Sequence, residues 1–316
     1  MILKKHVERS LNRRNSTTSQ YTAISTSAPL REPTYDADGN LLTCGAFSLA
    51  WDAENRNTSV TSNGITILTN AYDHRHRRVR KSTPDAVRDM VYDGWNPIQE
   101  TIIPAAGPIT TNRYHWGVDL SSTLQGAGGV GGLLAAEING IFLFPFYDAN
   151  GNVTECLDVS GNIRAHYEYD AFGNITAQSG DLAHVFPFRF STKYFDAETG
   201  LYYYGCRFYS PETGRWLNRD PIEEDGGLNL YGFIGNDGMN HIDPFGQMPS
   251  MPWEIGTDYY SRVVEPHFRK LRERLTRELQ ALCPEKKQLL YPLTLFEKNN
   301  QLSEKKRPLH GGCNGL

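Results

Sequence analysis

Short stretches of alternating apolar and polar residues run through most of the chain, and turn-forming residues separate them. Residues 161–169, for example, read GNIRAHYEY, so that an apolar side chain stands at every second position after the Gly-Asn pair. Alternation with a period of two places successive side chains on opposite faces of a strand. The pattern therefore predicts a mainly β protein.

A turn motif that begins with an aromatic residue followed by Asp recurs along the chain. The copies begin at Tyr35, Trp51, Tyr72, Tyr92, Tyr147 and Tyr169. Several neighbouring copies are about 16 to 22 residues apart, a spacing typical of repeat architectures. The Asp side chain can accept hydrogen bonds from backbone N–H groups two or three residues on, and Gly or Asn supplies positive φ. Each unit is predicted to be a hairpin, and neighbouring hairpins must stack because one cannot bury its own face.

A glycine-rich run at residues 126–132 formally contains the Gly-x-Gly-x-x-Gly pattern of dinucleotide-binding sites. That fingerprint requires a preceding strand, a following helix and an acidic residue about twenty positions further on. Residues 121–125 make a poor strand, and Asp148, which lies near the required distance, belongs to a Tyr-Asp turn. We interpret the run as a turn where backbone segments crowd together, and we expect no cofactor.

Aromatic residues are densest in the segment 186–216. They are Phe186, Phe188, Phe190, Tyr194, Phe195, Tyr202, Tyr203, Tyr204, Phe208, Tyr209 and Trp216. Aromatic side chains can stack on nucleic-acid bases, but such surfaces are usually interleaved with many Lys and Arg residues. Basic residues are few here, so we predict an aromatic core between strands and expect no nucleic-acid partner.

The composition changes after Gly246. Residues 248–316 carry 12 basic and 8 acidic residues, a net charge of +4, which leaves −8 for residues 1–247. Apolar residues recur there at helical spacing, at Val264, Phe268, Leu271, Leu275, Leu279 and Leu282. This stripe predicts an amphipathic helical tail in a separate module, which would dock on the rest of the protein or on a partner.

The overall composition excludes several classes of protein. The 316 residues are 39% hydrophobic and 22% charged with a net charge of −4, so global charge does not indicate a nucleic-acid partner. The five cysteines are scattered without a Cys-x-x-Cys pair, which indicates neither a disulfide framework nor a zinc site. Asp36 and Asp38 resemble half a calcium loop without its downstream Glu, so no metal is expected.

Targeting signals are also absent from the sequence pattern. The chain has no run of 18 apolar residues, and the polar first thirty residues lack the apolar core of a signal peptide. We therefore expect no membrane span and a flexible leader over residues 1–30. The protein is expected to be cytoplasmic, or exported without a signal peptide and secreted or held at the cell surface as part of a larger system.

Residues 186–246 contain a series of motifs that closely resembles the RHS repeat-associated core. The motifs are PFRFS at 187–191, DAETGLYYYG at 196–205, RFYSP at 207–211, GRWLNRDPI at 214–222, GLNLY at 227–231 and DPFG at 243–246. The upstream turn motifs resemble the YD repeats of the same family. The expected organisation is a leader at 1–30, YD-repeat hairpins at 31–180, the RHS repeat-associated core at 181–247 and a variable C-terminal region at 248–316.

The resemblance implies a fold and a set of partners. In this family the hairpins coil into a hollow β-shell, the core closes one end, and the shell holds the variable C-terminal segment, often a toxin. Since few repeats are visible here, we expect stacked antiparallel hairpins that coil into a partial shell, followed by the helical tail. The implied partners are the chain's own C-terminal segment, upstream shell repeats, a secretion apparatus and an immunity protein.

Some family members cut themselves with an internal aspartyl autoprotease, and this chain has the corresponding residues. The resemblance assigns the catalytic pair to Asp220 and Asp243, the supporting cation to Arg207, and the cleaved bond to Gln247–Met248. Two close carboxyl groups share one proton, so that one can act as base and the other as acid.

The same residues also allow a reading without catalysis. Both aspartates precede Pro, an arrangement that is common in turns. The family usually has Leu where this chain has Gln247, so cleavage is expected to be slow or absent. Whether the protein is an enzyme acting on itself therefore stays open, and the alternative is a cell-surface or partner-binding β-repeat module.

Overall fold

A computed structural model describes residues 13–14, 20–23, 32–238 and 241–247, which form β-strands and three short 3-10 turns. The first ten strands are β1 Arg13–Arg14, β2 Tyr21–Ala23, β3 Thr34–Tyr35, β4 Leu41–Cys44, β5 Phe47–Trp51, β6 Asn57–Ser62, β7 Ile65–Tyr72, β8 Arg78–Ser82, β9 Ala86–Asp93 and β10 Asn96–Pro104. The others are β11 Thr110–Trp116, β12 Leu133–Ile138, β13 Ile141–Tyr147, β14 Val153–Asp158, β15 Ile163–Tyr169, β16 Ile175–Ser179, β17 Tyr194–Asp196, β18 Leu201–Tyr203, β19 Phe208–Ser210 and β20 Arg215–Trp216. The 3-10 turns are Phe190–Thr192, Glu223–Gly226 and Ile234–Asn236.

The strands are arranged in chain order in three sheets. Strands β3 to β16 form one 14-stranded sheet in which each strand pairs antiparallel with the next, and we call it the repeat sheet. Strands β17 to β20 form a second, four-stranded sheet, the core sheet, while β1 pairs only with β2, inside the segment expected to be a leader. The prediction of a mainly β fold built from stacked antiparallel hairpins is confirmed. The expected helical tail at 248–316 lies outside the described residues.

Five of the repeat turns are closed by an Asp side chain that accepts two backbone hydrogen bonds. Asp52 accepts hydrogen bonds from the backbone N–H groups of Glu54 and Arg56, both at 3.0 Å. The same pair of bonds, to residues two and four positions on, is made at Asp73, Asp148, Asp158 and Asp170. The prediction that the Asp side chain accepts a hydrogen bond from the N–H three residues on was wrong. In the Asp52 turn, the N–H at that position belongs to Asn55 and donates instead to the backbone carbonyl of Asp52.

Aromatic side chains link each repeat to the one before it. The hydroxyl of Tyr169 donates to the backbone carbonyl of Val153 at 2.8 Å, and the Trp51 indole does the same to Leu41 at 2.7 Å. Equivalent bonds join Tyr72 to Asn57, Tyr92 to Arg78, Trp116 to Pro97 and Tyr147 to Leu133. The aromatic residue therefore both fills the sheet face and fixes the spacing between neighbouring hairpins.

The repeat sheet curves around the aromatic segment. Near its first edge, the N–H of Leu41 donates to the Leu217 carbonyl at 3.0 Å, while ten strands further along the N–H of Val153 donates to the Arg189 carbonyl at 3.1 Å. Across a flat sheet these two contacts would lie about 48 Å apart, whereas the segment 189–217 that makes both is itself largely folded into the small four-stranded core sheet. One apolar core includes residues of both sheets, which confirms the partial shell and the predicted aromatic core.

A buried ion cluster joins the two sheets. Arg78 on the repeat sheet donates from Nη1 and Nη2 to the two carboxylate oxygens of Asp196, at 2.6 and 3.0 Å. Lys81 lies 2.9 Å from Asp196 and 2.7 Å from Glu198. Burial alone would raise the pKa of Asp196, but Arg78 and Lys81 outweigh it and hold that pKa below its ordinary value. We call this group the Asp196 cluster.

The glycine-rich run is a series of turns, followed by strand β12 rather than by a helix. The dinucleotide fingerprint is therefore not met, as expected. No helix among the described residues is long and apolar enough to cross a membrane.

Candidate functional site

Three side chains that are far apart in the sequence meet beneath the core sheet. Arg207 directly precedes β19, Asp220 lies between β20 and the 3-10 turn Glu223–Gly226, and Asp243 begins the Asp-Pro-x-Gly turn. The guanidinium Nη2 of Arg207 lies 2.7 Å from Asp220 Oδ2 and 3.6 Å from Asp243 Oδ2. All three side chains are buried. The structure therefore brings together the residues that the resemblance assigned.

The two oxygens of Asp243 have different surroundings. Oδ1 accepts three backbone hydrogen bonds, from Phe245 at 3.2 Å, Gly246 at 2.7 Å and Gln247 at 3.0 Å. Oδ2 is buried and has no hydrogen-bond partner among the described residues. Buried polar atoms nearly always have a hydrogen bond, so a buried carboxylate oxygen without one is a feature of functional interest. Oδ1 holds the side chain in place, while Oδ2 faces the Arg207 guanidinium at 3.6 Å.

Asp220 is held more loosely. Its Oδ1 accepts the backbone N–H of Ile222 at 3.1 Å, and its Oδ2 accepts from Arg207. Burial raises the pKa of Asp220 to about 6, aided by the charge of Asp243, although Arg207 and the Ile222 N–H act in the opposite direction. Since an ordinary Asp carboxyl has a pKa near 4, this group can carry a proton in mildly acidic solution.

Arg207 is fixed on every side. Its Nε donates to the Gly246 carbonyl and its Nη1 to the Leu230 carbonyl, the latter at 3.2 Å. The guanidinium carbon also lies 4.3 Å from the centre of the Trp216 ring. Burial lowers the pKa of Arg207, against the raising effect of the two aspartates. A planar guanidinium with several fixed donors is suited to orienting a carboxylate and the turn beside it.

The backbone carbonyl of Gln247 lies close to this cluster, where the expected cleaved bond begins. A Cβ atom placed on Gly226 would stand 2.6 Å from Asp220 Oδ2 and 2.8 Å from the Gln247 carbonyl oxygen. Both groups therefore face the same small space, which is open only because residue 226 has no side chain. Met248, on the other side of the bond, lies outside the described residues. Sequence reasoning missed this role of Gly226.

No metal site was found in the part of the chain that the structure describes. No group of three or more His, Cys, Asp or Glu side chains there is placed to hold a metal ion. Asp36, which suggested half a calcium loop, accepts from the backbone and side-chain nitrogens of Asn40 at 2.8 and 2.9 Å. It is thus an ordinary member of the repeat turns.

The fold and the site define a class: a β-hairpin repeat protein whose curved sheet surrounds a core with a buried Arg–Asp–Asp cluster. Comparison with known proteins agrees with this class, since residues 147–181 match the family model described as RHS Repeat. The tRNA3(Ser)-specific nuclease WapA of Bacillus spizizenii is 34% identical over 221 residues, which are 67% of this chain and 9% of that protein. The chain is an RHS/YD-repeat protein, related to bacterial toxins.

Two further similarities support the family and the fold. Toxin subunit YenC2 of Yersinia entomophaga is 45% identical over 76 residues, covering 24% of this chain and 8% of that subunit. The crystal structure of TcdB2-TccC3-Cdc42 superposes with a TM-score of 0.57 at 22% identity, covering 72% of this chain and 13% of that one. The chain thus spans about a tenth of the length of these relatives.

Proposed function

We propose that this chain is a β-shell segment that presents or encloses the variable region 248–316, and that aspartyl self-cleavage of the Gln247–Met248 bond releases that region. The observation that carries the proposal is that Asp220 Oδ2 and the Gln247 carbonyl face the same small space at Gly226. Asp243 Oδ2, which has no hydrogen-bond partner among the described residues, lies 3.6 Å from the same Arg207 nitrogen that binds Asp220. Two carboxyl groups with one proton between them are suited to peptide hydrolysis.

The proposed reaction uses water as the only co-reactant. The water oxygen attacks the carbonyl carbon of Gln247 while the ionised carboxyl group takes its proton. The protonated carboxyl group then gives its proton to the amide nitrogen of Met248, and the C–N bond breaks. The products are a carboxylate on Gln247 and an amino group on Met248. Arg207 keeps one positive charge beside the pair throughout.

The test is the intact mass of the full chain after incubation across acidic and neutral pH. The wild type is expected to give two fragments that divide after Gln247, whereas Asp243→Asn and Asp220→Asn stay intact. Asp225→Asn is the matched control, since it removes an exposed carboxylate in the turn that follows Asp220. A wild type that stays intact at every pH would overturn the self-cleavage.

Enclosure needs a separate measurement. After cleavage, the fragment 248–316 is expected to co-elute with fragment 1–247 in size-exclusion chromatography under native conditions, and to separate from it in denaturant. If the two fragments separate at once under native conditions, enclosure is contradicted, but cleavage and release of region 248–316 are not.

Partners and location are proposed from the relatives. Because the chain spans only a small part of the proteins it resembles, we infer that it works with further shell repeats. By analogy with toxin systems, a secretion apparatus and an immunity protein against region 248–316 are the proposed external partners. Copurification of neighbouring gene products with a tagged full chain tests this inference.

A further inference from the structure

The glycine-rich segment between β11 and β12, residues 117–132, has no role in the proposed reaction, yet it touches the catalytic turn. We call it the glycine loop. A Cβ atom on Gly128, whose φ is +61°, would stand only 2.1 Å from the backbone carbonyl oxygen of Pro244. The loop belongs to the repeat sheet, whereas Pro244 directly follows Asp243. The glycine therefore permits the backbone of one part of the shell to lie against the candidate site.

Lys193 joins these two backbone segments. Its Nζ donates to the carbonyl of Gly128 at 2.7 Å and to the carbonyl of Pro244 at 2.6 Å. The side chain is buried, and burial lowers its pKa to about 8. A buried ammonium group without a bound carboxylate is costly, so its position here requires both carbonyl groups. Lys193 thus fixes the distance between the glycine loop and the turn.

Packing on both sides of Pro244 reinforces this contact. Ile242 lies in a small apolar cluster with Ala127 and Val130 of the glycine loop, and both loop residues are fully buried. The ring of Phe245 lies 5.4 Å from the ring of Trp95, which belongs to another turn of the repeat sheet. The repeat sheet therefore contacts the catalytic turn before, at and after Pro244.

The glycine loop is itself rigidly held. Asp119 Oδ2 accepts the backbone N–H groups of Ala127 at 2.8 Å and Gly129 at 3.1 Å. Its Oδ1 accepts the hydroxyl and the backbone N–H of Ser121, at 2.5 and 3.0 Å. Because these internal hydrogen bonds fix the conformation of the loop, the loop can position a neighbouring segment.

We propose that the glycine loop and Lys193 form a clamp that positions Asp243 and the Gln247 carbonyl, so that self-cleavage requires the turn to be seated on the repeat sheet. This inference rests on the proposed function. The physical link is that the N–H groups of residues 245–247 hold Asp243 Oδ1, so a shift of the turn moves the carboxylate and the cleaved bond together. Lys193 is in this view a positioning residue.

The first test is the rate of self-cleavage in the full chain at equal fraction folded. Lys193→Met and Gly128→Ala are expected to slow cleavage roughly 100-fold, because misplacement of a reacting group by about 1 Å has effects of this size. Lys193→Arg, which retains donors, is expected to restore part of the rate. Lys81→Met is the matched control, since it removes a buried lysine bound instead to Asp196 and Glu198.

The second test does not depend on cleavage. Hydrogen exchange is measured in an Asp220→Asn background, which keeps the chain intact. Lys193→Met is expected to speed exchange of the amides of residues 245–247 about tenfold or more, with no change in hairpins such as β6–β7. Unchanged exchange there, or a Lys81→Met variant that slows cleavage equally, would overturn the clamp. If the wild type never cleaves but Lys193→Met still speeds exchange, the proposed self-cleavage is excluded, while the positioning of the turn by Lys193 is supported.

Discussion

Two buried clusters of charged residues in the described part of the chain differ in charge balance. In the Asp196 cluster, two cations face two carboxylates, and each oxygen of Asp196 accepts from Arg78. In the cluster of Arg207, Asp220 and Asp243, one cation faces two carboxylates, and one oxygen has no hydrogen-bond partner among the described residues. The first arrangement is what a structural contact between two sheets requires, whereas the second is the arrangement on which the proposed self-cleavage rests.

The pKa directions follow from the same difference. Burial would raise the pKa of either aspartate, but Asp196 has enough positive charge around it to reverse the effect. Asp220 does not, and its pKa rises to about 6. Burial of a carboxylate is therefore no sign of function in itself, and the number of partners around it must be counted as well.

The largest expected effect is on stability. Asp196→Asn leaves Arg78 and Lys81 buried without their shared anion, and should lower the free energy of unfolding by about 3–5 kcal/mol. Asp243→Asn should cost about 1 kcal/mol or less, because an amide oxygen can still accept the three backbone N–H groups and one unbalanced charge is removed. Urea denaturation of both variants measures this difference.

A control and a pH test sharpen the comparison. Asp89→Asn breaks the exposed pair with Arg80 and should change stability little. The pH test uses Asp196. Because the pKa of folded Asp196 is below the ordinary Asp value of about 3.9, its stabilisation is present above that value and is lost as the pH falls through the lower, folded pKa. Equal losses for Asp196→Asn and Asp243→Asn would show that the two clusters are energetically alike.

The second prediction concerns Gly226, which leaves room between Asp220 and the Gln247 carbonyl. Gly226→Ala should slow self-cleavage roughly 100-fold, because its Cβ atom must push the two groups apart. Gly227→Ala is the control: residue 227 has a φ of +125° and no atom within 4 Å of its Cβ position, so backbone strain is tested without a collision. Similar cleavage in both variants and the wild type would exclude this geometry from the reaction.

The hairpin repeats could be predicted from the sequence because their chemistry is local. The period of two and the Asp and Gly turn residues act within a few positions of one another. Even the wrongly predicted Asp contact, three residues on, is only one position from the observed contact, four residues on. The aromatic links between repeats were missed, since the acceptor for Tyr169 is the carbonyl of Val153, sixteen residues away.

The candidate site could not be derived from local pattern. Arg207, Asp220 and Asp243 meet only after the core folds inside the repeat sheet, so their grouping came from the family resemblance. No sequence pattern indicated a role for Lys193, because its hydrogen-bond partners are backbone carbonyls 65 and 51 residues away. Any residue type can supply a carbonyl, so no sequence motif marks such a contact.

The third prediction is that self-cleavage slows as the pH rises. This direction is opposite to that of the Asp196 cluster, whose stabilising effect is expected to be lost as the pH falls. The pair in the site needs one proton, and Asp220 loses its proton as the pH rises through about 6. Self-cleavage should fall about tenfold per pH unit well above that value. Rates of fragment formation by mass spectrometry measure the profile. A rate that stays constant from mildly acidic to alkaline pH would show that the pair does not act through a shared proton.

The smallest expected effect concerns the residue before the cleaved bond. Gln247 is half-buried, its backbone carbonyl faces the space beside Asp220 and Gly226, and the family usually has Leu at this position. An apolar side chain loses less solvation there than an amide, so Gln247→Leu should speed self-cleavage by about tenfold. Gln247→Glu, similar in size but charged, should slow it for the same reason. If Leu gives no gain while Gly226→Ala still blocks the reaction, the rate is set by the geometry of the carboxylates rather than by the seating of residue 247.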